Sequence, residues 1–579
     1  MTQRTRRLGL VLALAFAAGS AMLSPGRAAA LPAGTPKVGM VCTPGTVSGG
    51  THTFNLVANT GYVDTPDGNS VFMWSYANHD APDNDHFQEP GPVLCVTQGE
   101  TVVVNLTNTL PERSSIVFPG QDGQVTATGG VSGLLTTEAA AGGGTVRYSF
   151  TAGSPGTYLY ESGSDPSKQI EMGLYGALVV RPNTTTCPVA AGSDCAYGPT
   201  TRFDPGREYL LLLNEIDPDL HHAVETGGTY DFNALHNRYF TINGREFPDT
   251  IQDNDTALLP NQPYGALVRL QPNTPSNTRP ALLRMLNAGA DNHPFHPHGN
   301  HTREIAQDGR PVASTEHFGE TIGSGQTIDY LLRWDDQDNW NPNTNQIPVA
   351  QPNYRNLTFK DGNTYYSGSP YLGYKGTLPT GTVQQNICGE WYFPLHSHAL
   401  NEFTNFDQGF GGMGTLLRVD PPGGCFAFPT ATKILAGTLN SGTVANLSVD
   451  DGKYYKVSST TTGTRTTDWY GQLSGVPAGA ANLKLTYNGS NTVSASQRLF
   501  VWNWATSAWV QVAGPTTVGT TDVTVGPVAV PAAPAAGSWA SYVGTGASKG
   551  LVRVRVLTTG AATNFVTSGD LMSLIYDAP

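Results

Sequence analysis

The chain is expected to be an all-β protein of three β-sandwiches, the first two being copies of one unit. Three observations carry this expectation. Only 13% of the 579 residues are charged, while Gly (67) and Pro (41) are abundant, a composition of many turns rather than long amphipathic helices. Two pairs of segments echo each other across the first two-thirds of the chain. Beyond about residue 430 the texture changes to Thr, Ser, Gly and Val with short alternating strands such as "LVRVRVL" and "RLFVWNW".

Taken in order, residues 1–30 read as a cleaved secretory peptide. Arg4, Arg6 and Arg7 precede an apolar run from Leu8 to Ala18, and Ala28-Ala29-Ala30 supplies an A-x-A site. The run is too short for a membrane anchor, and Gly9 makes Arg6-Arg7 a poor twin-arginine signal. The expected location is secreted or periplasmic, with no membrane span.

The first unit should cover 40–185. In "GETVVVNLTNTLPERSSIVFPG" (99–120), Val102, Val104 and Leu106 alternate as in a half-buried strand. A linker is expected over 186–205 and the second unit over 206–420. There "RPALLRMLNAGADNHPFHPHG" (279–299) repeats the plan of 99–120. Likewise "GTYLYESGSDPSKQIEMGLYGALVVRP" (156–182) matches "YFPLHSHALNEFTNFDQGFGGMGTLLRVDP" (392–421). Residues 430–579 form the third sandwich, which has neither His nor Cys.

Six cysteines in an exported chain suggest disulfides, with 15 possible pairings. Cys187–Cys195 would close a short loop, and Cys388–Cys425 would brace one unit. No C-x-x-C pair is present, which argues against thiolate zinc and dithiol redox chemistry. The net charge of −13 and the lack of a basic patch disfavour nucleic acid and anionic membranes as partners. No G-x-S-x-G elbow, P-loop or dinucleotide glycine motif occurs.

Six of the thirteen histidines fall in two short motifs of the second unit: "HPFHPHGNH" (His293, His296, His298, His301) and "HSH" (His396, His398). Residues two apart on a strand share a face, so His296 pairs with His298 and His396 with His398. Four imidazoles meeting in one sandwich suit copper or zinc. His79 and His86 read as loop histidines. "DPDLHH" (His221, His222) also reads as loop, because neighbours on a strand face opposite ways and chelate poorly.

"NHPFHPHG" and "PLHSHALNE…GGMG" resemble the copper motifs of the multicopper oxidases. "FTINGREFPDT" (240–250), "RMLNAG" (284–289) and "QIEMGLYGALVV" (169–180) are similar to the scaffold of that family. The resemblance spans roughly residues 90–420. It implies two cupredoxin-like Greek-key sandwiches, followed by a separate C-terminal sandwich outside the match, and copper as cofactor. It implies His293 as a ligand of the electron-accepting blue copper, with His296, His298, His396 and His398 as ligands of the trinuclear cluster. Met413 would correspond to the weak axial methionine.

Departures from the family pattern limit what can be carried over. Between His396 and His398 the family has a cysteine, and here stands Ser397. Four residues after His398 the family has a histidine, and here stands Glu402. A serine hydroxyl is a hard, neutral ligand and cannot supply the copper–sulfur bond. In the first unit the histidine motifs are replaced by Val117-Phe118-Pro119-Gly120 and Glu161-Ser162-Gly163. Glu402 and Glu161, if ligands, would shift preference toward zinc, manganese or Cu(II).

The expectation is a secreted relative that binds copper through the second unit and is not a four-copper laccase. If it is an enzyme, it is an oxidoreductase acting on a small-molecule or metal-ion reductant. The alternative is a non-enzymatic metal-binding or surface protein, with the third sandwich attaching it to a polysaccharide or cell surface. Trp469, Trp502, Trp504 and Trp509 are either that sandwich's core or its sugar-stacking face.

Overall fold

A computed structural model describes residues 36–80, 85–121, 125–188, 194–273, 280–335, 358–361, 364–367, 391–406, 411–420, 424–448, 450–532, 539–560 and 563–577. The expected secretory peptide and Cys388 lie outside the described residues. So does part of the expected linker.

The alternation seen in Thr101–Asn108 places Val102, Val104 and Leu106 in the core of the first unit. Val103 is buried as well, because the strand is central and covered on both faces. It runs parallel to Thr51–Asp64 and antiparallel to Gly144–Thr151. The facing sheet pairs Tyr175–Arg181 with Gly156–Glu161 (antiparallel) and Leu94–Thr97 (parallel). Between the two sheets lie Phe54, Trp74, Tyr148, Tyr160 and Leu178.

The second unit repeats this wiring strand for strand. Ala281–Asn287 runs parallel to Glu208–Ile216 and antiparallel to Thr327–Leu332. Opposite, Gly414–Val419 pairs with Trp391–Ser397 (antiparallel) and Val268–Leu270 (parallel). The echo between 279–299 and 99–120, and between 392–421 and 156–182, is therefore an echo of topology. His293–Pro297 and Glu320–Ile322 extend the latter sheet beyond Trp391–Ser397.

A six-strand and a five-strand sheet over 425–577 enclose Trp469, Leu485, Tyr487, Val554 and Leu574. Every ladder between the described strands of the three regions stays inside its own region. The fold is all-β, with three short α-helices at Pro166–Gln169, Pro218–Thr226 and Leu400–Phe403 among the described residues.

Cys187–Cys195 is a disulfide, and Cys42 pairs with Cys95, tying the start of the first unit to its Leu94–Thr97 strand. Cys425 is buried and carries no disulfide among the described residues. The linker is not a loose spacer. Tyr197 and Phe203 pack on Leu282 and Leu331, and the Tyr197 hydroxyl donates to Asp329 at 2.6 Å. Buried Arg284 reaches Glu208 (2.8 Å), Asp329 (3.0 Å) and Thr157 of the first unit (2.8 Å). No described helix is long and apolar enough to cross a membrane.

Candidate metal centre

His293–Pro297 and Trp391–Ser397 are neighbouring antiparallel strands, with His296 opposite His396 and Phe295 opposite Ser397. Because side chains alternate with period two, this register sorts the motif residues into two sets. His296, His298, His396 and His398 share the outer face. His293, Phe295 and Ser397 share the inner face and are buried.

On the outer face the four imidazoles converge. Ring centroids stand 4.8 Å apart for His296–His298, 5.1 Å for His298–His396 and 5.2 Å for His296–His398. His298 Nε2 and His396 Nε2 face each other at 3.0 Å. The Nδ1 atoms of His296 and His396 donate to the Phe318 and Ser397 carbonyls at 2.5 and 2.6 Å. Holding Nδ1 on a backbone carbonyl turns each Nε2 toward the other imidazoles, the supporting arrangement typical of ligating histidines.

Burial and the neighbouring imidazoles hold His396 neutral, with its pKa lowered to about 4. Burial and the charges of His296 and His398 lower His298 as well. The His298 and His396 Nε2 atoms, 3.0 Å apart, are spaced as two ligands of one metal bound at about 2 Å require. A pocket of about 380 Å³ opens beside them, lined by the 296–301 run and Phe318. His301 contacts Phe318 at its rim, 6.1 Å between ring centroids.

The inner face holds something different. His293 Nε2 lies 3.1 Å from Glu215 Oε2, and its Nδ1 lies 2.9 Å from Glu402 Oε2. The Ser397 hydroxyl donates to the same Glu402 oxygen. Burial alone would lower the His293 pKa. The hydrogen bonds and charges of Glu215 and Glu402 outweigh it and raise the pKa to about 9. With a carboxylate at each ring nitrogen, the protonated form of His293 is favoured.

The structure places His293, expected as a ligand, between Glu215 and Glu402, and it places Glu402, the other expected ligand, against both His293 and Ser397. A Glu215–His293–Glu402–Ser397 chain fills the place of the blue copper, and the donor set does not fit that ion. Met413 sits fully buried in the apolar core, with its backbone bonded to Ser397 and Glu402.

Sequence reasoning misses Glu215. Its only signal is a lone carboxylate inside the apolar run "LLLLNEI", and its partner lies 78 residues away. Glu402 is placed by Leu400–Phe403, and Gly412 (φ +76°) lets that turn approach, since an added Cβ would stand 2.0 Å from the Glu402 carbonyl.

The remaining candidates lie elsewhere. Val117 bridges Glu161 through the backbone, and burial raises the Glu161 carboxyl. Ser162 donates to Gln169 at 2.6 Å, an echo of Ser397 on Glu402. His79 pairs with Asp85, and His86 contacts the Pro260 carbonyl. "DPDLHH" is not a loop but opens the Pro218–Thr226 helix, capped by Asp217. His221 there is buried between the Phe72 and Glu171 carbonyls, and His222 faces Glu225.

In the third sandwich Trp469 is core. Arg553 lies over Trp504 at 4.6 Å, and Arg555 lies over Trp509 at 5.5 Å. Trp502 meets both indoles edge-on.

Comparison with known proteins agrees with this architecture. A family model described as multicopper oxidase matches residues 84–185. Putative laccase-11 of Oryza sativa subsp. japonica is 28% identical over 314 residues, 52% of this chain and 50% of that protein. Laccase-3 of the same plant is 28% identical over 262 residues, 43% of this chain and 39% of that protein. The chain spans about half the length, or less, of the curated relatives it matches. A solved blue copper oxidase from Nitrosomonas europaea aligns with TM-score 0.42 and 19% identity, over 64% of this chain and 86% of its own. Residues 84–185 thus carry a domain of multicopper oxidase type, and the chain is similar at low identity to laccases.

Proposed function

We propose that this is an exported copper protein that holds its metal on His296, His298, His396 and His398 and has given up the blue-copper centre. Similarity to the multicopper oxidases implies copper, and imidazole ligands suit it. Zinc and manganese at this cluster have no support from the relatives. The observation that carries the reading is the split between the two faces of one strand pair. Outside, the His298 and His396 Nε2 atoms meet at 3.0 Å. Inside, the histidine of the blue-copper position is clamped by two carboxylates.

Copper bound by imidazoles supplies one-electron chemistry toward a small reductant. The residues of this chain do the rest. The Phe318 and Ser397 carbonyls orient two rings, and neighbouring imidazoles help to keep His298 and His396 unprotonated. The pocket beside His298 admits a small molecule or metal ion at the cluster. Loss of the thiolate favours a second reading, in which copper is held without turnover and the third sandwich attaches the protein to a polysaccharide or cell surface.

Metal analysis and spectroscopy of the copper-loaded chain separate these readings. The expected result is about one copper per chain with no intense band at ~600 nm, and loss of that copper in His298→Ala/His396→Ala. About four coppers with a blue band would refute the reading of the inner face. Turnover of phenols or metal ions that disappears in the double variant selects the oxidoreductase, and its absence selects the binding protein.

A further inference from the structure

The second unit carries another set of metal-ligating side chains, separate from the four imidazoles. Glu304 lies on Thr302–Gln307, His317 ends Glu316–His317, and Glu320 opens Glu320–Ile322. The first two belong to one sheet and the third to the other. They meet where the chain crosses between sheets through Phe318 and Gly319.

His317 Nε2 is 3.5 Å from Glu304 Oε2, and its Nδ1 is 3.1 Å from Glu320 Oε2. One ligand atom from each residue lies within 4.8 Å of the other two. Ligands bonded to one ion at about 2.0–2.2 Å stand up to about 4 Å apart, so small rotations of the partly exposed side chains close the set. Thr315 Oγ1, 2.7 Å from Nε2, gives the ring an orienting contact of the kind ligating histidines make. Two carboxylates this close repel each other, which a cation relieves.

We propose that Glu304, His317 and Glu320 bind one divalent first-row cation, with Mn(II) or Zn(II) favoured over Cu(I). One imidazole with two carboxylates is a harder donor set than four imidazoles, and three ligands leave positions for water on the exposed side. The site also acts on the neighbouring one. The Phe318 carbonyl, which holds His296 Nδ1 at 2.5 Å, lies between two of the ligands. A cation there pins both ends of the crossing and keeps His296 Nε2 turned toward the other imidazoles.

The competing account is a His317 ring held between two carboxylates with no metal. Binding of Mn(II), followed by electron paramagnetic resonance on the full chain, decides between them. The wild type is expected to take up a single Mn(II). Glu304→Gln/Glu320→Gln and His317→Asn should each weaken that uptake at least about tenfold. His298→Ala/His396→Ala should leave it unchanged, which sets this site apart from the copper cluster. Equal Mn(II) uptake by the wild type and the Glu304→Gln/Glu320→Gln variant overturns the proposal, as does no uptake by the wild type at millimolar Mn(II). Should the double variant not fold, His317→Asn decides alone, and uptake equal to the wild type in it likewise overturns the site.

Discussion

Ser397 and Glu402 decide what His293 can be. A thiolate at 397 would be a soft ligand, whereas a hydroxyl donates its proton to Glu402 and helps to hold that carboxylate against His293. The folded pKa of His293, about 9, lies above the ordinary histidine value of 6.5. Its stabilisation is therefore fully present below about pH 6.5 and is lost as pH rises through about 9. At ~1.4 kcal/mol per unit the loss is on the order of 3 kcal/mol.

Glu215→Gln removes one of the two carboxylates, so urea unfolding at pH 6, 7.5 and 9 should show a smaller fall for the variant than for the wild type. Parallel curves would rule out the ion chain. Burial also raises Glu89, Glu171 and Glu246 to about 8, so the wild type loses further stability as pH rises from about 4.5 to 8. That background is largely shared by the variant, with Glu171 the exception because the charge of Glu215 contributes to its shift.

At the scale of elements, period two does most of the work. Once the two histidine strands pair in register, the outer set converges and the inner set turns to the core. This much is legible in "HPFHPHG" and "HSH". The partner of His293 is not, because Glu215 comes from a strand of the opposite sheet. The Pro218–Thr226 helix has legible signals, an Asp cap followed by proline at the first turn. Treating its adjacent histidines as strand neighbours hides them, because a helix, not a strand, sets their directions.

The turn that carries Glu402 depends on Gly412. Its positive φ and the 2.0 Å approach leave no room for a methyl group. Gly412→Ala is expected to destabilise the protein by about 2–4 kcal/mol in thermal or chemical unfolding. A change below about 0.5 kcal/mol would show that the turn adapts.

Across the whole molecule, the first two units are joined by more than the chain. Arg284 ties Glu208 and Asp329 to Thr157 across them. A buried pair of this kind is costly to break, because removing one partner leaves an uncompensated charge. The third sandwich brings no histidine, so its proposed role is attachment. Guanidinium groups lie over Trp504 and Trp509, which leaves Trp502 as the ring for stacking on a sugar. Retention of the full chain on an insoluble polysaccharide, reduced at least about fivefold by Trp502→Ala, is the expected result. Passage of the wild type without retention would dismiss the polysaccharide as partner.

The sequence by itself determined the all-β class, the duplicated sandwich and the shared strand face of the four imidazoles. Each of these follows from local period, spacing or repetition, which a linear reading can follow. Only the tertiary structure decided that His293 sits between Glu215 and Glu402 and that Cys42 bonds Cys95. It also brought Glu304, His317 and Glu320 together. The physical reason is common to all three. The partners come from different parts of the chain, and in the His293 and Glu304 cases from opposite sheets. A charge or lone pair takes its character from neighbours that only folding brings within hydrogen-bonding distance.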